Sequence, residues 1–212
     1  MRVIAGKAKG RSLKGPPGMG TRPMTDRLKV SLFDTLMPYG IGGARVVDLY
    51  AGSGSLGIEL LSRGAEWVDF VEQNAGVCRI IEDNLRTTGL GGGAKIYKMP
   101  VGRFLAMKGV TSAPGTQDPR EIRALDTTAE YDIIILDPPY ADQEIEGMLD
   151  LLASSPLLTD DGILVIGHAT RVKLADEYGD GRLRRVKHRE MGGSAFSIYE
   201  VDSPDPEQTP GL

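Results

Sequence analysis

Residues 133–142, IIILDPPYAD, run four apolar side chains into a carboxylate, two prolines and an aromatic ring. Such a run predicts a buried strand with an acid at its tip. Pro138 restricts Asp137 to an extended shape, and Pro139 does the same to Pro138. The tip is then a stiff arm whose carbonyls find no local partner and face whatever fills the crevice. A planar amino group on a ring matches this arm. Its lone pair is delocalised, so it is a poor nucleophile until its N–H bonds are held. The Asp137 carboxylate and a proline carbonyl supply two acceptors that favour a pyramidal nitrogen, leaving the lone pair free for in-line attack. Positioning, and acceptors placed where positive charge develops, then carry the catalysis. Tyr140 is suited to stacking on the base, an interaction worth ~1–3 kcal/mol in single-strand binders. A base within a helix must be flipped out to reach it.

A second constellation lies upstream. VVDLYAGSGSLGIE, residues 46–59, sets Gly52, Gly54 and Gly57 in the GxGxxG spacing, with Glu72 twenty residues after Gly52. Glycines let the backbone approach a ligand, a helix N-terminus offers N–H groups, and an acid on the next strand accepts from ribose hydroxyls. That pattern fits a dinucleotide. It equally fits S-adenosylmethionine (AdoMet), whose carboxylate needs N–H donors and whose sulfonium tolerates an acid. Asp48, four residues before Gly52, leans towards AdoMet, because a carboxylate there would repel a pyrophosphate. A glycine turn serving only tight strand–helix packing is the remaining alternative.

These residues need elements to hold them. Strands are predicted at 44–50, 67–72, 94–99, 131–137 and 162–168, alternating with helices at 55–62, 75–88, 101–108 and 144–153. That rhythm means a parallel sheet covered on both faces. Asp48, Glu72 and Asp137 then share the carboxyl edge, where such sheets bind ligands. Residues 182–201 read as a hairpin around MGGS. A helix from Thr25 to about residue 37 carries Leu28, Leu32 and Leu36 on one face and ends at Pro38 and Gly40. The expected organisation is a small basic N-terminal extension (1–40), a catalytic domain (41–202) and a disordered Pro-rich tail (203–212). Residues 109–130 read as a surface insertion.

The net charge is −4, yet residues 1–29 hold eight Lys/Arg and one acid, while the remainder is net −11. A basic patch on an acidic body can attract phosphate. Arg182, Arg184, Arg185, Lys187 and Arg189 form a second cluster, either a solvated face or an RNA-facing one. One cysteine, Cys78, excludes an internal disulfide. No apolar run reaches bilayer length, and the start lacks a signal-peptide core, so a cytoplasmic protein without a membrane partner is expected. His168 and His188 lack companion ligands, so no metal is expected.

DLYAGSGSLGIE, FVE and LDPPY resemble the cofactor and catalytic motifs of class I AdoMet-dependent amino-methyltransferases. RVIAGKAKGRSLKGP, TRPMTDR (21–27) and LSRGA (61–65) narrow the resemblance to the bacterial 16S rRNA guanine-N2 methyltransferase family, over residues 1–202. It implies a Rossmann-like, seven-stranded, mostly parallel sheet with helices on both faces. It implies AdoMet held by Asp48, Tyr50, Ala51, Gly52, Ser53, Gly54, Glu72, Gln73 and Val101, and the target base held by Asp137, Pro138, Pro139 and Tyr140. Lys7, Lys9 and Arg11 would grip RNA, with Arg22, Thr25, Asp26 and Arg27 near the mouth of the site. The implied partner is ribosomal RNA in the small subunit or its assembly intermediate, approached by a monomer. The chain departs from the family pattern at Pro100 and Val101, where an Asp or Asn and an Ala usually sit near the adenine, and at Gly167, where an acid is usual. An adenine-N6 methyltransferase acting on DNA or RNA shares the Asp-Pro-Pro-Tyr motif. An NAD-dependent oxidoreductase would use the glycine loop alone. An RNA-binding assembly factor without catalysis would not need Asp137.

Overall fold

The computed structural model of the chain describes residues 1–16, 24–110, 131–138 and 145–202. Its sheet begins with β1 (Arg45–Leu49), β2 (Trp67–Glu72), β3 (Ala94–Lys98), β4 (Tyr131–Leu136) and β5 (Leu158–Ala169). It is completed by β6 (Glu177–Tyr178), β7 (Leu183–Met191) and β8 (Ser194–Val201). The spatial order is β3-β2-β1-β4-β5-β8-β7-β6. The first five strands pair in parallel, while β8 runs antiparallel to both β5 and β7. This is the Rossmann-like α/β class that the motifs imply, with one correction. Among the described residues the sheet has eight strands, not seven, because β6 pairs with β7 through Glu177↔Arg184 and Tyr178↔Leu183. Two residues are too few to show a period of two. Their strand forms because the Tyr178 ring packs edge-on against Tyr199, centroids 5.5 Å apart, and its hydroxyl accepts from Ala175 N.

The helices are α1 (Asp26–Leu36), α2 (Ser55–Arg63), α3 (Ala75–Thr88), α4 (Val101–Met107) and α5 (Ile145–Ala153). Thr25 caps α1 by accepting from Leu28 N, and Asn74 caps α3 by accepting from Gly76 N and Val77 N. Left-handed Gly64 and Gly89 end α2 and α3, a backbone conformation that glycine adopts without strain. Alternation along β4 divides the core between the two faces of the sheet. Ile133 and Ile135 join Leu28, Leu32, Phe33, Ile58 and Ile81 on one side. Ile134 and Leu136 join Phe104, Leu149 and Leu152 on the other. No helix among the described residues is long and apolar enough to cross a membrane.

Residues 1–16 pack on α2 through buried polar groups. The two carboxylate oxygens of Glu59 accept from Ile4 N (2.8 Å) and Ala5 N (2.9 Å), and the Ser62 hydroxyl accepts from Ala8 N (2.9 Å). Arg63 Nε donates to Glu59 at 2.9 Å, and Lys29 Nζ lies 3.4 Å away. Gly6 has φ +80°, and a Cβ there would stand 1.8 Å from Ser62 O, so only glycine permits this approach. Most of the 109–130 insertion and the 203–212 tail lie outside the described residues.

Candidate active site

Parallel pairing sets the strand ends in line. Leu49 pairs with Val71 on one side and Leu136 on the other, and Leu136 pairs with Ile166. Asp48, Glu72 and Asp137 therefore reach one edge, as the element reading expects. Asp48 is 1% exposed and accepts from Gly57 N at 2.9 Å. Burial pushes its carboxyl up to about 7; the nearby Asp137 and Glu72 carboxylates add to the rise, against the Gly57 hydrogen bond. Burial alone raises the Asp137 carboxyl to about 7. A raised carboxyl is the response of acids whose burial outweighs their favourable contacts, which for Asp48 include the Lys29 charge.

Gly167 borders Asp137. A Cβ at Gly167 would lie 2.6 Å from Asp137 Oδ1 and 3.2 Å from Met24 Cε. The missing acid at position 167 thus has a steric consequence: the bare backbone makes room for the Asp137 carboxylate. Pro138 is buried beside it. Pro139, Tyr140 and Arg22 lie outside the described residues.

The glycine loop departs from the simple fingerprint. Tyr50 adopts φ +61°, beside Gly52 at +52° and Gly54 at +75°. A non-glycine left-handed residue stores strain, a feature that clusters at ligand sites. Gly57 serves packing instead, since a Cβ there would meet Phe70 Cε1 at 2.4 Å. Ala51 N donates to Val71 O at 3.0 Å, tying the loop to β2. Glu72 accepts from Gly52 N (3.1 Å) and Asn74 N (2.8 Å). It therefore braces the loop and keeps further lone pairs for a ligand's hydroxyls. Gln73 follows exposed, while Val101 is buried at the start of α4 after Pro100. Ser53 is buried and its carbonyl accepts from Asn84 Nδ2 at 2.9 Å.

Lys29 is a buried neighbour of the glycine loop that motif reading missed. It is 2% exposed, its ammonium donates to Ser55 O at 2.8 Å, and burial lowers its pKa. Asn84 is the second, donating to Lys14 O (3.0 Å) as well as Ser53 O and accepting from Lys14 N (2.8 Å). Lys29 and Glu59 were visible as charges on apolar helix stripes. Asn84 had no such signal, because its partners are distant backbone groups.

Lys7, Lys9, Arg11 and Arg27 are exposed and make no ion pair among the described residues. Thr25 and Asp26 are exposed at the start of α1, next to Met24. The second basic cluster divides. Arg182 donates to Ala153 O and Ser155 O, Arg184 pairs with Asp202, and Arg185 pairs with Asp176. Lys187 and Arg189 stand exposed on β7. His168 is buried, bonded to Ala169 O and Ser197 Oγ, and stacked on His188.

Known proteins share this chain's sequence and fold. The profile of the family described as "Conserved hypothetical protein 95" matches residues 1–200. YlbH of Bacillus subtilis (strain 168), which carries a provisional rRNA methyltransferase name, is 38% identical over 94% of this chain and 98% of its own. Ribosomal RNA small subunit methyltransferase D of Escherichia coli (strain K12) is 30% identical over 96% of this chain and 91% of its own. The solved structure of Escherichia coli yhhF superposes with a TM-score of 0.75 at 27% identity, covering 96% of this chain and 98% of that one.

Proposed function

The chain belongs to the family described as conserved hypothetical protein 95, and on that premise we propose that it transfers a methyl group from AdoMet to the exocyclic N2 amine of a guanine in small-subunit ribosomal RNA. The observation that carries this reading is the meeting of Asp137 with Asp48 and Glu72 at one edge, where Asp48 responds to both of the other carboxylates. A pyrophosphate would meet repulsion from these acids, whereas a cationic ligand would be attracted to them.

The residues fit AdoMet. The Tyr50–Gly54 turn, with three positive φ angles, brings backbone close to a ligand. Glu72 retains acceptor capacity for ribose hydroxyls, and the buried Asp48 carboxylate complements a sulfonium. When bound, AdoMet supplies an electrophilic methyl group on a cationic sulfur. Asp137 accepts an N–H of the target amine and holds its lone pair towards that methyl group. Transfer would leave the C–S electron pair on sulfur and the amine nitrogen cationic and acidic, and its proton would pass to the Asp137 carboxylate that holds the N–H or to water. In this reading Pro138, Pro139 and Tyr140 complete the base grip. Tyr50, Ala51, Gly52, Ser53, Gly54, Gln73 and Val101 line the cofactor. Residues 1–40, with Lys7, Lys9, Arg11, Arg22, Thr25, Asp26 and Arg27, grip RNA for the 41–202 catalytic domain.

The test incubates the protein with isotopically labelled AdoMet and small ribosomal subunits lacking base methylation, then maps the product nucleoside by mass spectrometry. N2-methylguanine at one site is expected. N6-methyladenine would keep the mechanism and replace the substrate base. Bound AdoMet with no label on either subunit would overturn the rRNA reading.

A further inference from the structure

Between the N-terminal arm and α1 lies a cleft of about 230 Å3 lined by Arg2, Val3, Ile4, Lys9, Asp26 and Val30. Its arm wall is a closed hairpin: Val3 N donates to Arg11 O and Gly10 N to Val3 O, each at 2.9 Å. Its other wall is one face of α1, because Asp26 and Val30 are four residues apart. Val30 is 38% exposed, one of few large apolar side chains left open to solvent. Arg2, Lys9 and Asp26 are exposed and make no ion pair among the described residues.

Both walls are anchored beside the candidate site. Met1, next to Arg2, places its sulfur 3.8 Å from Ser53 Oγ of the glycine loop. Met24, two residues before Asp26, borders the same space above Gly167 as the Asp137 carboxylate.

We propose that this cleft holds one unpaired nucleobase of the RNA, a neighbour of the nucleotide presented to Asp137. The proposal rests on the rRNA reading above. The volume lies below the ~300–1,000 Å3 of pockets for drug-sized ligands and suits one ring system. The apolar walls take the ring faces, and the Arg2 guanidinium offers a plane on which bases stack. Arg2 and Lys9 at the rim meet the flanking phosphates. The Asp26 carboxylate accepts N–H donors from the base edge, as acids do when reading amino groups. Presenting a target base outside a helix unstacks its neighbours, and the cleft gives one of them a new partner. Asp26 is thus a reader of a flanking base, and the arm contributes shape as well as charge.

The test fills the cleft with Val30→Trp and measures methyl transfer to undermethylated small subunits. KM for the subunit is expected to rise about tenfold or more, the scale on which a single stacked base contributes to binding. The AdoMet Kd and kcat should stay within about twofold. The salt dependence of KM should be unchanged, because every phosphate partner is still in place. Arg2→Ala with Lys9→Ala should instead flatten that salt dependence. Val30→Thr, which keeps the shape of valine, guards against misfolding of the Trp variant and should raise KM about threefold by making the wall polar. Wild-type KM in both Val30 variants, with methyl transfer intact, would overturn the cleft proposal alone. No transfer to small-subunit RNA by the wild-type protein would overturn the rRNA reading and the cleft with it.

Discussion

The role we propose for Asp137 follows from its placement. One residue beyond the β4 ladder, it lies on the face where Gly167 has no side chain, and its carboxyl is raised to about 7 by burial. Removing it should take away the acceptor for the target amine and little else. Asp137→Ala is expected to lower kcat by about a hundredfold or more, the scale of one hydrogen bond made to a transition state, with the AdoMet Kd changed less than about threefold. Asp137→Asn keeps an acceptor oxygen and should lose less. An unchanged kcat in the Ala variant would remove Asp137 from the mechanism. The acids also set a pH dependence. Asp48 and Asp137 are both raised to about 7 in the ligand-free fold but ionise near 3.9 in an unfolded chain. Between those values the folded state holds more protons, so their contribution to stability falls as pH rises across that window. The proposed base grip, in contrast, needs ionised Asp137. The profile of kcat/KM, which reports the free enzyme, should therefore climb through about pH 7, and Asp137→Asn should remove the Asp137 part of that step while the Asp48 part remains. A flat wild-type profile from about pH 5.5 to about pH 8.5 would count against the acceptor role.

At the scale of elements, the N-terminal arm is held by side chains of α2 and α3. Glu59 is fully buried, yet two backbone N–H groups, Arg63 and Lys29 surround its carboxylate. A buried charge is tolerable only when paired and hydrogen-bonded in this way. Asn84 links the arm to the glycine loop, donating to Lys14 O and Ser53 O while accepting from Lys14 N. Asn84→Ala leaves these groups without their partner and should cost about 1–3 kcal/mol. Asn84→Asp should cost more, because it turns a carboxylate towards two carbonyl oxygens. Denaturant melts of the two variants check this order. If Asp is the milder change, the amide is not the link described.

The whole molecule is acidic with a basic end. Residues 1–29 are net +7 in a chain of net −4, and Lys7, Lys9 and Arg11 project from the docked arm into solvent. Replacing these three with Ala should weaken RNA binding most at low salt and progressively less as salt rises. The slope of log K against log[salt] should shrink by about 0.7 for each phosphate of single-stranded RNA left without its cation. Titrations at several salt concentrations measure this directly. Parallel wild-type and variant lines would make the arm a solvated face.

Much of this was legible in the chain. The alternation of apolar runs and amphipathic helices determined a parallel α/β sheet, because strands buried on both faces must be apolar throughout. The positions of Asp48, Glu72 and Asp137 at strand ends followed from the same periodicity. Local patterns did not reveal β6, which is shorter than any period, or left-handed Tyr50, which no side-chain rule favours. They did not reveal the space at Gly167, the Asn84 link or the cleft between arm and α1. Each of these depends on groups far apart in the chain, as Lys14 and Asn84 are. Sequence patterns determine which face a residue turns to the core. Only tertiary packing decides which distant atoms it meets there, because those meetings are set by how helices and strands stack rather than by spacing along the chain.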